Sequence, residues 1–151
     1  MTVTRYPALY LAGIRSFNER DFFASHEQWE DLWRDTHGRL RDFYTGLIQA
    51  AVALYHFTNG NLRGARKLYQ TSRNYLRPYQ PVCEGLDVMS FLAAMAECCA
   101  ALMTSTEESS RVTLDPAKIP TIVLVPPPVE NISGAADRAD PEGAAAGGEE
   151  T

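Results

Sequence analysis

The stretch Leu40–Thr58, LRDFYTGLIQAAVALYHFT, decides the fold class. Leu40, Phe43, Tyr44, Leu47, Ala51, Leu54 and Tyr55 recur at three- and four-residue intervals, the spacing of one broad helical face. Ile48, Ala50 and Phe57 widen that face. A helix this apolar has to be surrounded by others, so the reading predicts the central helix of an all-α bundle. A thin polar stripe of Asp42, Thr45, Gln49 and His56 lies opposite the main face.

The flanking segments supply the neighbours. Pro7 opens a first helix that ends near Asn18 to Arg20, with Leu11, Ile14 and Phe17 on one face. Asp21 is an N-cap for a second helix reaching about Thr36, in which Phe22, His26, Trp29 and Trp33 share a narrow stripe. Asn59-Gly60-Asn61 reads as a turn, and Asn61 caps a fourth helix from Leu62 to about Arg77, where Pro78 and Pro81 stop it. Ala65, Leu68, Tyr69, Ser72, Tyr75 and Leu76 are its expected core positions. Gly64 inside this helix costs about 1 kcal/mol relative to Ala, which a close approach of a neighbouring helix would explain. Asp87 caps a fifth helix through Val88, Phe91, Leu92, Met95, Cys99 and Leu102. Thr121–Val125 is β-branched but bracketed by prolines, so it reads as an extended segment packed on the bundle. The expected organisation is a compact bundle of about five helices over residues 1–105, an extended packing segment over 106–128 and a disordered tail over 129–151.

Composition narrows the function classes. The chain has 151 residues and a formal net charge of −5, much of the acidity lying in the tail. No dense basic stripe is present, so no nucleic-acid partner is expected. No uninterrupted apolar run reaches the roughly 18 residues of a membrane span. The N-terminal MTVTRYPALYLAG carries too short an apolar patch for a secretory signal, so a cytoplasmic protein is expected. Cys83, Cys98 and Cys99 include no C-x-x-C pair, and Cys98 and Cys99 read as core-filling residues.

Chemistry concentrates in the second helix. His26 stands on its apolar stripe, and Glu30, four residues on, is its neighbour on the helix surface. Glu27 and Arg34 lie further round. The string HEQWE is similar to the zincin H-E-x-x-H but places Glu30 where the second imidazole belongs, so that reading is rejected. Gln49 or His56 of the third helix, set against His26 and Glu30, would make a polar pocket walled by Trp29, Trp33 and Tyr44.

The ordered combination of Asn18, Phe23, His26, Glu27, Glu30, Trp33 and Arg34 with Gly46, Leu47, Ile48, Gln49, His56, Gly60, Asn61, Gly64 and Ala65 resembles the domain-of-unknown-function family numbered 309. The resemblance spans residues 15–77, roughly two-fifths of the chain. It implies small multi-helical proteins of bacteria and archaea and implies no activity.

Three readings of the pocket residues His26, Glu27, Glu30, Trp33, Arg34, Gln49, His56 and Asn61 follow. The first is a binding or scaffold domain that holds a small-molecule ligand or orders a subunit interface, with a two-fold homodimer as the default assembly. The second is a hydrolase in which His26 or Glu27 is the general base, Glu30 orients it, and a metal is held by His26, Glu30 and His56. The third is a closed, hydrogen-bonded structural cluster.

Overall fold

In a computed structural model, which describes residues 5–104 and 112–128, the chain is built from helices α1 (Ala8–Asn18), α2 (Phe22–Arg34), α3 (Leu40–Thr58), α4 (Leu62–Leu76), α5 (Val88–Cys98) and α6 (Ala100–Thr104). A hairpin of β1 (Val82–Cys83) and β2 (Leu86–Asp87) separates α4 from α5. These elements and the segment 112–126 belong to one unit, Tyr6–Pro126. The tail 129–151 and residues 106–111 of the expected extended segment lie outside the described residues. No helix among the described residues is long and apolar enough to cross a membrane.

The central helix is α3, where the apolar periodicity placed it. Phe43, Tyr44, Leu47, Ala50, Ala51, Ala53, Leu54 and Phe57 are buried. It packs against α2 on one side and α4 on the other, while α1 packs on α2. The short side chains Gly46, Ala50, Ala51 and Ala53 let neighbouring helices come close, and Ser72 of α4 donates to the Gly46 carbonyl at 2.8 Å. Tyr55 and Tyr75, read as core positions, instead lie at the edges of their helical faces and are exposed.

Side-chain caps set the helix starts as the sequence indicated. Asp21 accepts from the Ala24 N–H, Asn61 from the Gly64 N–H and Asp87 from the Ser90 N–H. The expected fifth helix is in two pieces, because Cys99, at φ −100 and ψ 7, leaves helical geometry between α5 and α6. All three cysteines are free and buried.

The hairpin is an addition to the sequence reading. It turns through Glu84 and Gly85, both at positive φ, the geometry that lets two short strands pair tightly. Tyr10 reaches it from α1, its hydroxyl donating to the Glu84 carbonyl at 2.9 Å, and burial pushes the phenol pKa up. Residues 112–126 pass over the bundle with Ile119, Ile122 and Leu124 buried.

At Gly13 the backbone of α1 comes close to α2. A Cβ placed on Gly13 would lie 2.1 Å from the indole nitrogen of the fully buried Trp29. Gly13→Ala is therefore predicted to destabilise the protein by about 1–3 kcal/mol, an ordinary overpacking cost, read as a lower midpoint in urea. The α5 cap can be tested through its charge. Hydrogen bonds from the Ser90 N–H and then its hydroxyl hold the Asp87 pKa below the usual carboxylate value. This stabilisation is present above the unfolded pKa and is lost as pH falls through the lowered folded one. Asp87→Asn keeps a cap acceptor but does not titrate. Its stability is predicted to fall less steeply with acid in that window than the parent's.

Candidate functional site

The site begins with the way α2 is clamped to α1. Asp21 starts α2 directly after the α1 corner, where the Asp21 N–H donates to the Ser16 carbonyl. The Trp29 indole donates to the Tyr10 carbonyl at 3.1 Å, and the Ser25 hydroxyl donates to the Gly13 carbonyl at 2.9 Å. Phe22, Ser25 and Trp29 thus form the buried face of α2. His26 is one residue, about 100°, round from Ser25 and comes out at the seam with α3.

At that seam is a cleft of about 120 Å³. Phe22, Phe23 and His26 of α2 line it from one side, and Val52, Tyr55 and His56 of α3 from the other. The rings form a chain: Phe23 to His26 at 5.7 Å, Phe23 to Tyr55 at 5.6 Å and Tyr55 to His56 at 6.1 Å between centroids. All three contacts are tilted, and their centroid separations fall within the range of about 4.5–7 Å typical of aromatic pairs. Phe23 is nevertheless 49% exposed and Tyr55 39%. Apart from the two imidazoles and the Tyr55 hydroxyl, the lining side chains are apolar.

Each imidazole has a partner behind the cleft. His26 Nε2 lies 3.8 Å from Glu30 Oε2, and the other Glu30 oxygen lies 3.5 Å from Arg34, which also binds Asp31 at 2.6 Å. His56 Nδ1 lies 3.3 Å from Asn61 Nδ2. Asn61 Oδ1 accepts from the Gly64 N–H at 3.0 Å, so capping fixes which end of the amide faces the ring. The amide nitrogen therefore donates to His56 Nδ1, and the neutral imidazole carries its proton at Nε2. Gly64 completes the corner: a Cβ there would lie 2.8 Å from Asn61 Nδ2 and 3.0 Å from His56 Cδ2. The close approach at Gly64 is thus to the Asn61 cap and to His56 of the neighbouring helix α3.

The remaining sequence candidates go elsewhere. Gln49 accepts from the Thr71 hydroxyl at 2.5 Å and ties α3 to α4. Trp33 lies under the Arg41 guanidinium, 3.8 Å from its ring centre, and Arg41 donates to the Thr36 carbonyl at 3.0 Å, closing the end of α2. Tyr44 packs on Tyr10 and Phe43. Trp29 faces α1, and Glu27 is exposed. The cleft walls are therefore Phe22, Phe23, Val52 and Tyr55 in place of Trp29, Trp33 and Tyr44. Among the described residues no three His, Cys, Asp or Glu side chains form a metal-binding group, so His26, Glu30 and His56 do not converge as ligands. Phe23 had a signal in the sequence, since it stands three residues before His26, one helical turn away; Tyr55, directly beside His56 in the chain, had none, because adjacent helical residues do not face each other.

The family model described as "Domain of unknown function (DUF309)" matches residues 10–68, in agreement with the resemblance read from the motif residues. The Bacillus subtilis (strain 168) protein named "Uncharacterized protein YpuF" is 35% identical over 83 residues, which are 54% of this chain and 48% of that protein. The chain thus spans about half the length of the curated relative it matches. The matched residues 10–68 contain every side chain that lines the α2–α3 cleft, together with Asn61 and Gly64.

The cap-to-imidazole coupling is directly measurable. Asn61→Ala is predicted to cost about 1 kcal/mol of stability through the lost cap. In the parent, long-range proton–nitrogen correlation spectra of His56 are predicted to show a protonated Nε2 and an acceptor Nδ1, and in the variant a mixture of the two tautomers.

Proposed function

We propose that this protein is a binding module and that its α2–α3 cleft is a socket for one apolar side chain of a partner protein. The observation that carries this reading is the exposed ring cluster of Phe23 and Tyr55 around a small, apolar-walled depression. Size separates the ligand classes. Sites for drug-sized molecules occupy about 300–1,000 Å³. A space of about 120 Å³ suits one aliphatic or aromatic side chain, and such buried anchors carry much of the energy of protein–protein interfaces. The imidazoles add direction. With Nδ1 occupied by Asn61, the Nε2–H of His56 is the donor left for a backbone carbonyl of the partner.

The hydrolase alternative gains no support from the site. No Ser, Thr or Cys side chain lines the cleft, and the Glu30 carboxylate beside His26 is shared with Arg34.

N-acetyl-phenylalaninamide and N-acetyl-leucinamide are minimal mimics of an anchoring side chain. Titrated into the protein, they are predicted to move the imidazole carbon-bound proton signals of His26 and His56 saturably. Val52→Trp, which fills the cleft, is predicted to remove that response while leaving the helical circular dichroism in place. Unmoved imidazole signals in the parent, or equal responses in both proteins, would refute the socket. Sedimentation of the chain alone tests whether a second copy is the partner: Phe23→Asp then dissociates the homodimer.

A further inference from the structure

A second surface, separate from the socket, lies where Pro120–Val123 faces the start of α5. A groove of about 270 Å³ runs between them, lined by the apolar Leu86, Phe91, Ala94 and Ile122. Asp87 and Ser90 also reach it, but the carboxylate accepts from both the Ser90 N–H and the Ser90 hydroxyl, so these groups satisfy each other.

The two edges of Thr121–Val125 differ. Burial alternates along it, Ile122 and Leu124 inward and Thr121, Val123 and Val125 outward, which is the pattern of an extended chain. On the α1 side it is paired at Pro120 and Ile122. The Asn18 side chain accepts from the Ile122 N–H at 2.8 Å and donates to the Ile122 carbonyl at 2.9 Å, as a neighbouring strand would. Arg20 donates to the carbonyls of Pro120 and Ile119. On the other side the Val125 N–H donates to the Gly85 carbonyl at 2.9 Å. Successive residues of an extended chain turn their N–H and C=O to opposite edges, so Val123 turns its pair to the same edge as Val125, toward the groove. Among the described residues neither the N–H nor the C=O of Val123 has a hydrogen-bond partner. The four most exposed large hydrophobic residues described are Val82, Met89, Val123 and Val125, at 55, 55, 71 and 70%, and they lie on this segment, the hairpin and the first turn of α5.

We propose that this edge docks a short extended peptide of a partner protein, which pairs its backbone with Val123 and lays an apolar side chain along the groove. An unpaired donor and acceptor on one strand edge specify a strand as the complement, since main-chain pairing supplies affinity and alternate side chains supply specificity. A second copy of Thr121–Val125 is not that strand: Asn18 and Arg20 cover one of its edges, and the hairpin and α5 flank the other. The edge lies outside the matched residues 10–68, so it does not depend on the socket.

The test uses the full chain labelled with nitrogen-15 and the peptide acetyl-Thr-Val-Thr-Val-Thr-amide. The Val123 amide signal shifts downfield on titration and its hydrogen exchange slows, while the His26 ring signals stay in place. A fully N-methylated version of the peptide, which keeps its side chains but cannot donate, binds about tenfold more weakly, the factor that one backbone hydrogen bond is worth. Read at the Ser90 and Phe91 amides of the groove's far wall, Val123→Thr retains the peptide-induced shifts, and Val123→Pro, which has no N–H, loses them with the parent's helical circular dichroism intact. An unmoved Val123 amide at millimolar peptide, or equal binding of the two peptides, overturns the proposal.

Discussion

Enclosure of α3 is the constraint on which the rest of the structure depends. A nineteen-residue helix with an apolar face this broad has no stable solution alone in water, and burying each large side chain contributes about 1.5–3 kcal/mol. Two helices cover it, α2 and α4, and its short residues bring them close. α2 is in turn held by α1 through the Trp29 and Ser25 hydrogen bonds, with Gly13 making room for the indole. The rotation of α2 about its own axis is therefore set on the α1 side. That rotation delivers Phe23 and His26 to the α3 seam, so the cleft there is a by-product of how the core is packed.

Most of the bundle was legible because its signals are local. Asp21, Asn61 and Asp87 each announce a helix start and each caps one. The bounds of α3 follow its apolar run. The hairpin was not legible: its strands have two residues each, too few to show alternation, and Glu84-Gly85 is a weaker turn signal than Asn-Gly. The candidate site was legible in part. His26 and His56 both line the cleft between adjacent helices. Its walls were not legible, since period alone cannot tell which side of α2 meets α1. Trp29 and Trp33 look equivalent on a helical wheel, but one is locked to the Tyr10 carbonyl and the other stacks under Arg41, a residue beyond the helix end. Gln49 was drawn to α4 by Thr71, a pairing that depends on the α3–α4 register.

Structure and chemistry meet most closely at the α3–α4 turn. One amide, that of Asn61, caps α4 and orders the tautomer of His56, and Gly64 leaves the room that both need. The turn that starts a helix therefore also decides which nitrogen of His56 carries the proton in the neutral ring. The Val123 edge is built differently, from backbone groups on a segment held by Asn18 at Ile122 and by Gly85 at Val125. The two proposed modes of recognition are thus distinct, side-chain anchoring between helices and strand pairing beside α5.

The socket is tested most directly by crystallographic screening with monocyclic aromatic fragments. The account predicts a ring bound between Phe23, Val52 and Tyr55 with the imidazoles of His26 and His56 at its edge. Fragments that settle elsewhere on the protein, with an accessible α2–α3 cleft left unfilled, would contradict it.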